Sequence, residues 1–195
     1  DFYDFDLEQW GFKRNNKEEW SSYFKRLQSH PAWGTKNIVS WDVNIQGARE
    51  INSTVTANPE VYYFSFVNSN TVLDSSSGRH IPNNTMSFII RSNARLMGMK
   101  KAYFEDGTST DSTWFENDGI VNKKSMYGPT TGLNGADPIT NYSEDEILIP
   151  GQWYAMNGLK MDHRRMVGHG AKEKDYKLLM EKYITHLKLI QSLPK

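Results

Sequence analysis

WFENDGIVN, residues Trp114–Asn122, is followed about 45 residues later by MDHRRMVGHG, residues Met161–Gly170. Taken alone, the first stretch is a tight Asp118-Gly119 turn ahead of an apolar step. Its plain reading is an aspartate bonded to its own backbone. Taken alone, the second is a histidine in a glycine-punctuated loop, and such a histidine is more often structural or solvated than reactive. The other four histidines, His30, His80, His169 and His186, show no metal-ligand spacing, and six residues separate His163 from His169, which fits none either.

The chain around these stretches has 195 residues, 23 basic and 23 acidic side chains, and no cysteine. That length suits one domain, which places residues 1–195 in a single unit. The lack of cysteine excludes disulfides, thiolate zinc and a cysteine nucleophile. The neutral balance argues against nucleic acid as a partner. No run of apolar residues is long enough to span a bilayer. The first residue is Asp1 rather than methionine, which points to processing or truncation. Asn-x-Ser/Thr sequons at Asn52, Asn83 and Asn141 carry little weight in a chain so rich in Asn, Ser and Thr.

Periodicity outlines the elements. Asn16 and Glu19 form a capping-box pair ahead of Trp20, Tyr23, Phe24 and Leu27, which predicts a helix over Lys17–Ser29. A weaker helix is expected over Gln46–Thr54. Val61–Val67 (VYYFSFV) reads as a strand covered on both faces, in the middle of a sheet. The polar run Asn68–Gly78 follows it. Thr85–Met99 reads as a helix or helix-like packed segment. Glu105–Ser112 and Tyr127–Glu146 read as long loops. Trp153–Met161 is expected to hold a short strand or extended segment leading to His163. Lys172–Ser192 is the clearest helix, with Tyr176, Leu179, Met180, Tyr183, Ile184, Leu187 and Ile190 as one apolar stripe packing on the sheet.

Together the two opening stretches give the chain order Asp…His, with the histidine before a C-terminal helix. This is the second half of the Ser…Asp…His order of an α/β-hydrolase. In that chemistry the carboxylate fixes the tautomer of the imidazole, and the imidazole takes a proton from the attacking serine.

WFENDGIVN, with Ser125-Met126 and Gly128-Pro129 after it, resembles the acid segment of the secreted staphylococcal and geobacillus lipases. FYDFDLEQWGFKR (Phe2–Arg14) resembles the family's YDFxLDQWGL stretch. Tyr23–Leu27 with Pro31 and Trp33, then Asn58-Pro59 with VYYFSF, and finally GQWYAMNGLKMDH resemble successive later segments. The resemblance implies an α/β fold: the C-terminal portion of an α/β-hydrolase sheet with flanking helices and long loops, completed by a partner chain. It also implies that Asp118 is the triad acid and His163 the general base, in an extracellular protein.

Two departures qualify what the resemblance implies. No G-x-S-x-G elbow occurs in the chain, so the nucleophile would have to come from an N-terminal hydrolase half or a homologous chain. The family's calcium site uses acidic residues at the second and seventh positions after the histidine, where this chain has Arg165 and Gly170. Its zinc-binding aspartate aligns with Asn37. No metal cofactor is therefore expected. Arg164 and Arg165 either disfavour a charged His163 or face solvent and pair with Asp162, Glu144 or Glu146. The expected function is carboxylic ester hydrolysis of lipid substrates, conditional on a serine-bearing half. The alternatives are a non-catalytic pseudo-hydrolase that binds a long hydrophobic ligand (a lipid or pigment) with a partner chain, and a pseudo-hydrolase whose surface mediates protein association.

Overall fold

A computed structural model describes residues 13–36, 39–129 and 137–194. The aromatic opening of the chain, residues 1–12, lies outside them. The molecule divides into two compact units, Asp1–Ala48 and Arg49–Lys195.

In the first unit, helix α1 covers Trp20–Gln28. Its entry turn sits one residue earlier than the sequence suggests. The Asn15 side chain accepts a bond from the Lys17 amide at 3.2 Å, and the Asn15 amide donates to the Glu18 carboxylate at 3.3 Å. Glu19, at the N-cap, makes no side-chain cap bond. The shift has a cause in Glu18, whose carboxylate also receives the Arg26 guanidinium at 2.8 Å. That bond holds the Glu18 carboxyl below its ordinary pKa. Tyr23 and Leu27 are buried, while Trp20 and Phe24 stack on each other at the surface. Helix α2 (Val39–Asp42) follows, and α3 (Ile45–Asn52) spans the boundary between Ala48 and Arg49.

Along the second unit come β1 (Tyr63–Val67), β2 (Thr71–Asp74), β3 (Arg79–Pro82), α4 (Arg91–Met97), β4 (Ile139–Asn141), β5 (Trp153–Asn157), the single-turn α5 (His163–Met166) and α6 (Glu173–Ser192). Strands β1, β5 and β4 form a parallel sheet in that spatial order, with Tyr63 opposite Trp153 and Ile139 opposite Trp153 on the other side. The aromatic density of β1 serves cross-strand stacking: Tyr63 on Trp153 at 4.7 Å and Phe64 on Tyr154 at 5.6 Å. The central position belongs to β5, whose Tyr154, Ala155 and Met156 are buried. Every residue of β1 is only half-buried, and β1 is an edge strand among the described residues. Within this chain β5, not β1, is the strand flanked on both sides.

The polar run Asn68–Gly78 and the predicted loop Tyr127–Glu146 each hold a strand. The run after β1 contains β2, which pairs antiparallel with β3 across a turn closed by Asp74. The Asp74 carboxylate accepts bonds from the Ser76 amide and from the Ser76 and Ser77 hydroxyls. Tyr127–Glu146 contains β4. Thr85–Met99 is helical as expected, a short 3-10 turn (Phe88–Ile90) running into α4.

Helix α6 is packed along a face rotated from the predicted stripe. Leu179 is 1% exposed and meets Met161 and Met166, with Leu159 and Tyr183 packed against them. The Tyr183 hydroxyl donates to the Met166 carbonyl. His186, not Ile184 or Leu187, takes the next position on that face, its ring edge-on to Phe64 and Phe66 at 5.0 and 5.1 Å. Leu187 is 58% exposed.

Leu179→Ala is expected to cost about 2–4 kcal/mol in urea denaturation, the usual range for a buried leucine. Leu187→Ala should stay within about 0.5 kcal/mol. Burial, and after it the Lys182 charge, lowers the pKa of His186. Burial does the same for His80, with Glu116 opposing. Both rings stay neutral in the fold at a pH where the unfolded chain already takes up protons. Stability is therefore full above an unfolded pKa of about 6.5 and falls as pH drops below it. Melting temperature followed from pH 8 to pH 5 should show that decline, made shallower by His186→Gln and shallower again when His80→Gln is added.

Candidate active site

The segments after β1 and β5 leave the same end of the parallel sheet, the end where open α/β sheets place their chemistry. Gly158 makes the second exit possible. A Cβ there would lie 2.0 Å from Asn68 Oδ1 and 2.5 Å from the Val67 carbonyl, so only glycine lets the strand ends close. The Gly158 amide donates to the Val67 carbonyl at 3.1 Å, and the Leu159 amide to Asn68 Oδ1 at 3.0 Å. The chain then runs to Met161, anchored under α6, and on to His163.

The acid loop is assembled from almost every residue of ENDGIVN. Glu116 forms an ion pair with Lys123 at 2.9 Å. Asn117 is completely buried. Its side-chain amide donates to the Ala94 carbonyl of α4 at 3.1 Å and to the Phe115 carbonyl at 2.9 Å, while its Oδ1 accepts the Gly119 amide at 2.9 Å. Its carbonyl takes bonds from the Asn70 amide (3.0 Å) and the Thr71 hydroxyl (3.2 Å), which ties the loop to the start of β2. Gly119 has φ +98°, and a Cβ there would sit 2.7 Å from Ile90 Cδ1. The Asn122 side chain closes the loop on the Trp114 carbonyl.

This frame presents Asp118, whose side chain is 1% exposed. Its Oδ1 accepts the Ile120 and Val121 amides at 3.0 and 2.8 Å, and its Oδ2 lies 2.9 Å from His163 Nδ1. The His163 amide also donates to the Asp118 carbonyl at 3.0 Å. One residue therefore grips the histidine by both backbone and ring. An ionised carboxylate only accepts, so the contact suits the tautomer in which Nδ1 carries the hydrogen and donates to it. The His163 side chain is 43% exposed, so the imidazole faces outward from a buried anchor.

Asp118 bonds its own backbone through one oxygen, the plain reading of the turn, and also meets the histidine ring through the other. The two arginines beside His163 separate. Arg165 lies 3.6 Å from the Asp162 carboxylate and 4.0 Å from that of Asp175. Arg164 reaches the Ser87 hydroxyl at 3.4 Å and the His169 ring at 2.8 Å. Of the partners weighed from sequence, Asp162 is the one used by Arg165. Asn37 lies outside the described residues.

A family profile described as "Lipase-like, C-terminal domain" matches residues 2–177. The chain belongs to the lipase-like C-terminal domain family. Among curated relatives of this lipase-like domain, a Staphylococcus hyicus lipase is 28% identical over 169 residues, which is 86% of this chain and 24% of the relative. Lipase 1 of Staphylococcus aureus (strain Mu50) is 29% identical over 126 residues, 65% of this chain and 17% of the relative. Among solved structures, EstA from Clostridium botulinum superposes with a TM-score of 0.72 at 34% identity, covering 93% of this chain and 42% of that one. Lipase 1 from Pelosinus fermentans gives 0.66 at 31% identity over 93% and 48%. The S. hyicus lipase structure gives 0.67 at 24% identity over 97% and 48%, a likeness of fold. The domain thus spans about a quarter or less of these curated relatives and under half of these solved chains. Among the described residues, no helix is long and apolar enough to cross a membrane.

The structure brings together the two residues singled out by the sequence, Asp118 and His163, and adds Asn117, which the sequence does not single out. The signal for Asn117 was weak: an asparagine in a turn-rich segment reads as surface, and only the packing of α4 makes it internal. Asn117→Ala is expected to lose about 1–3 kcal/mol, the cost of orphaning buried backbone partners. Gly119→Ala should lose about 2 kcal/mol or more, from left-handed backbone strain plus overpacking against Ile90. Urea denaturation measures both.

Proposed function

We propose that this lipase-like domain supplies the acid and the general base of a serine-dependent carboxylic ester hydrolase acting on lipid esters outside the cell. The observation that carries this reading is the 2.9 Å contact between the buried Asp118 Oδ2 and His163 Nδ1, with the imidazole exposed beyond it.

In this reading Asp118 holds His163 in the Nδ1–H tautomer. Nε2 then accepts the proton of a serine hydroxyl as its oxygen attacks the ester carbonyl. Asp118 stabilises the imidazolium that forms, and the proton passes from Nε2 to the departing alkoxide. A water molecule deprotonated by the same Nε2 then cleaves the acyl ester and returns the serine. The serine comes from an N-terminal hydrolase half or a homologous chain, since no G-x-S-x-G elbow occurs in these 195 residues. The relatives are two or more times as long, which supports such a region, and the free edge of β1 is where its sheet would continue. We propose that neither calcium nor zinc takes part.

The test uses the complete natural polypeptide or complex, with a fluorophosphonate probe and a soluble fatty-acid ester. Labelling of a serine in the N-terminal region is expected. Asp118→Asn should lower kcat by about 10⁴-fold with little change in KM, the loss usual when the triad acid can no longer fix the tautomer. Unchanged turnover in Asp118→Asn, or no labelling with the N-terminal region present, refutes the assignment.

A further inference from the structure

We infer that Arg165 is a positioning residue for His163. Its guanidinium, held between the Asp162 and Asp175 carboxylates, supplies from within the chain the positive charge that fixes the histidine turn, and the turn takes no calcium ion. The word positioning rests on the hydrolase reading above. The arrangement itself rests on geometry alone.

Asp162 immediately precedes His163 and is completely buried. Its Oδ1 accepts the Arg165 amide at 3.1 Å and so caps α5, whose first residue is His163. Its Oδ2 accepts the Ser87 amide at 2.8 Å, which ties α5 to the segment entering α4. Two amide bonds satisfy lone pairs but leave a full negative charge out of water, a large cost without a countercharge. The Arg165 guanidinium, itself 16% exposed, provides that charge at 3.6 Å. Its far end reaches Asp175 at 4.0 Å, in the first turn of α6, where the helix dipole already favours an acid. One cation therefore joins the histidine turn to the terminal helix.

A calcium ion does not fit this arrangement. It needs six to eight oxygens at about 2.3–2.6 Å. Both Asp162 oxygens are engaged by amides, the second residue after the histidine is the cation Arg165, and Gly170 offers no side chain. Among the described residues no group of three or more His, Asp or Glu side chains is arranged to hold a metal. The consequence for His163 is direct. Its amide and ring both bond to Asp118, so a small rotation of α5 would stretch both bonds at once.

The experiment is NMR of the complete natural polypeptide or complex, with three signals. The first is the downfield Nδ1–H resonance of His163. The second is exchange of the His163 amide, and the third is exchange of the Gly151 amide, which is bonded to the Val61 carbonyl at the opposite end of the strands. Arg165→Gln should speed His163 exchange roughly tenfold relative to Gly151 and broaden or abolish the Nδ1–H line, as local opening does. Arg165→Lys should restore part of both. Asp175→Asn, which keeps Arg165 and Asp162, should give a smaller loss of the same kind and covers the case in which Arg165→Gln does not fold. An unchanged exchange ratio and an intact Nδ1–H line in the Arg165→Gln variant, or in Asp175→Asn when Arg165→Gln does not fold, overturn the proposal. Excess calcium chloride and EDTA should give the same melting temperature and the same His163 signals in the unsubstituted chain. A calcium-dependent rise in melting temperature with movement of those signals overturns it too. None of these readouts needs ester turnover. Failure of fluorophosphonate labelling would remove the catalytic reading and leave them unaffected.

Discussion

The Asp118 carboxylate is shut away from water and tolerated there because each of its oxygens is claimed. One takes two backbone amides of its own turn, the other takes the His163 ring. A buried charge left short of partners would cost several kcal/mol, so the loop must be built to present those donors. Most of what lies nearby follows from that requirement. Asn117 is internal because it stitches the loop to α4 and β2. Gly119 is glycine because the backbone must turn left-handed with Ile90 close behind. The segment leaving β5 must end where His163 can meet the free oxygen, and this sets the close approach at Gly158.

The parts legible in the sequence are those fixed by local chemistry. VYYFSFV announces a strand because β-branched and aromatic side chains suit a pleated surface, and α6 announces itself by its period. The meeting of Asp118 and His163 was legible through the ENDGIVN and MDH motifs and their order, since each stretch taken alone favoured a plain turn and a structural or solvated histidine. What stayed hidden depends on distant partners. Strand β2 reads as polar because Thr71 spends its hydroxyl on Asn117, 46 residues away. The strand β4 is three residues long and gains its identity only from β5. The packed face of α6 was misread because the helix carries apolar side chains around more than one face. The choice between them falls to Met161, Met166, Phe64 and Phe66, none of which the helix sequence contains.

The two ionic arrangements near His163 serve different ends. Asp118 with His163 joins a buried acid to an exposed ring and leaves the outer nitrogen available. Asp162 with Arg165 and Asp175 is nearly closed to solvent and joins backbone to backbone. In one the charge is offered outward, and in the other it is spent on holding a turn. Both carboxylates border the same histidine, one through its ring and one through the peptide before it.

The pairing of Tyr63 with Trp153 has a temporal side. Parallel neighbours so distant along the chain close a long loop, which is slow and happens late. During synthesis the Asp118 loop leaves the ribosome well ahead of β5, and Met161 is covered only once α6 has followed. The pair therefore comes into being only after α6 has been made, and until then a nascent chain carries Asp118 and His163 as strangers.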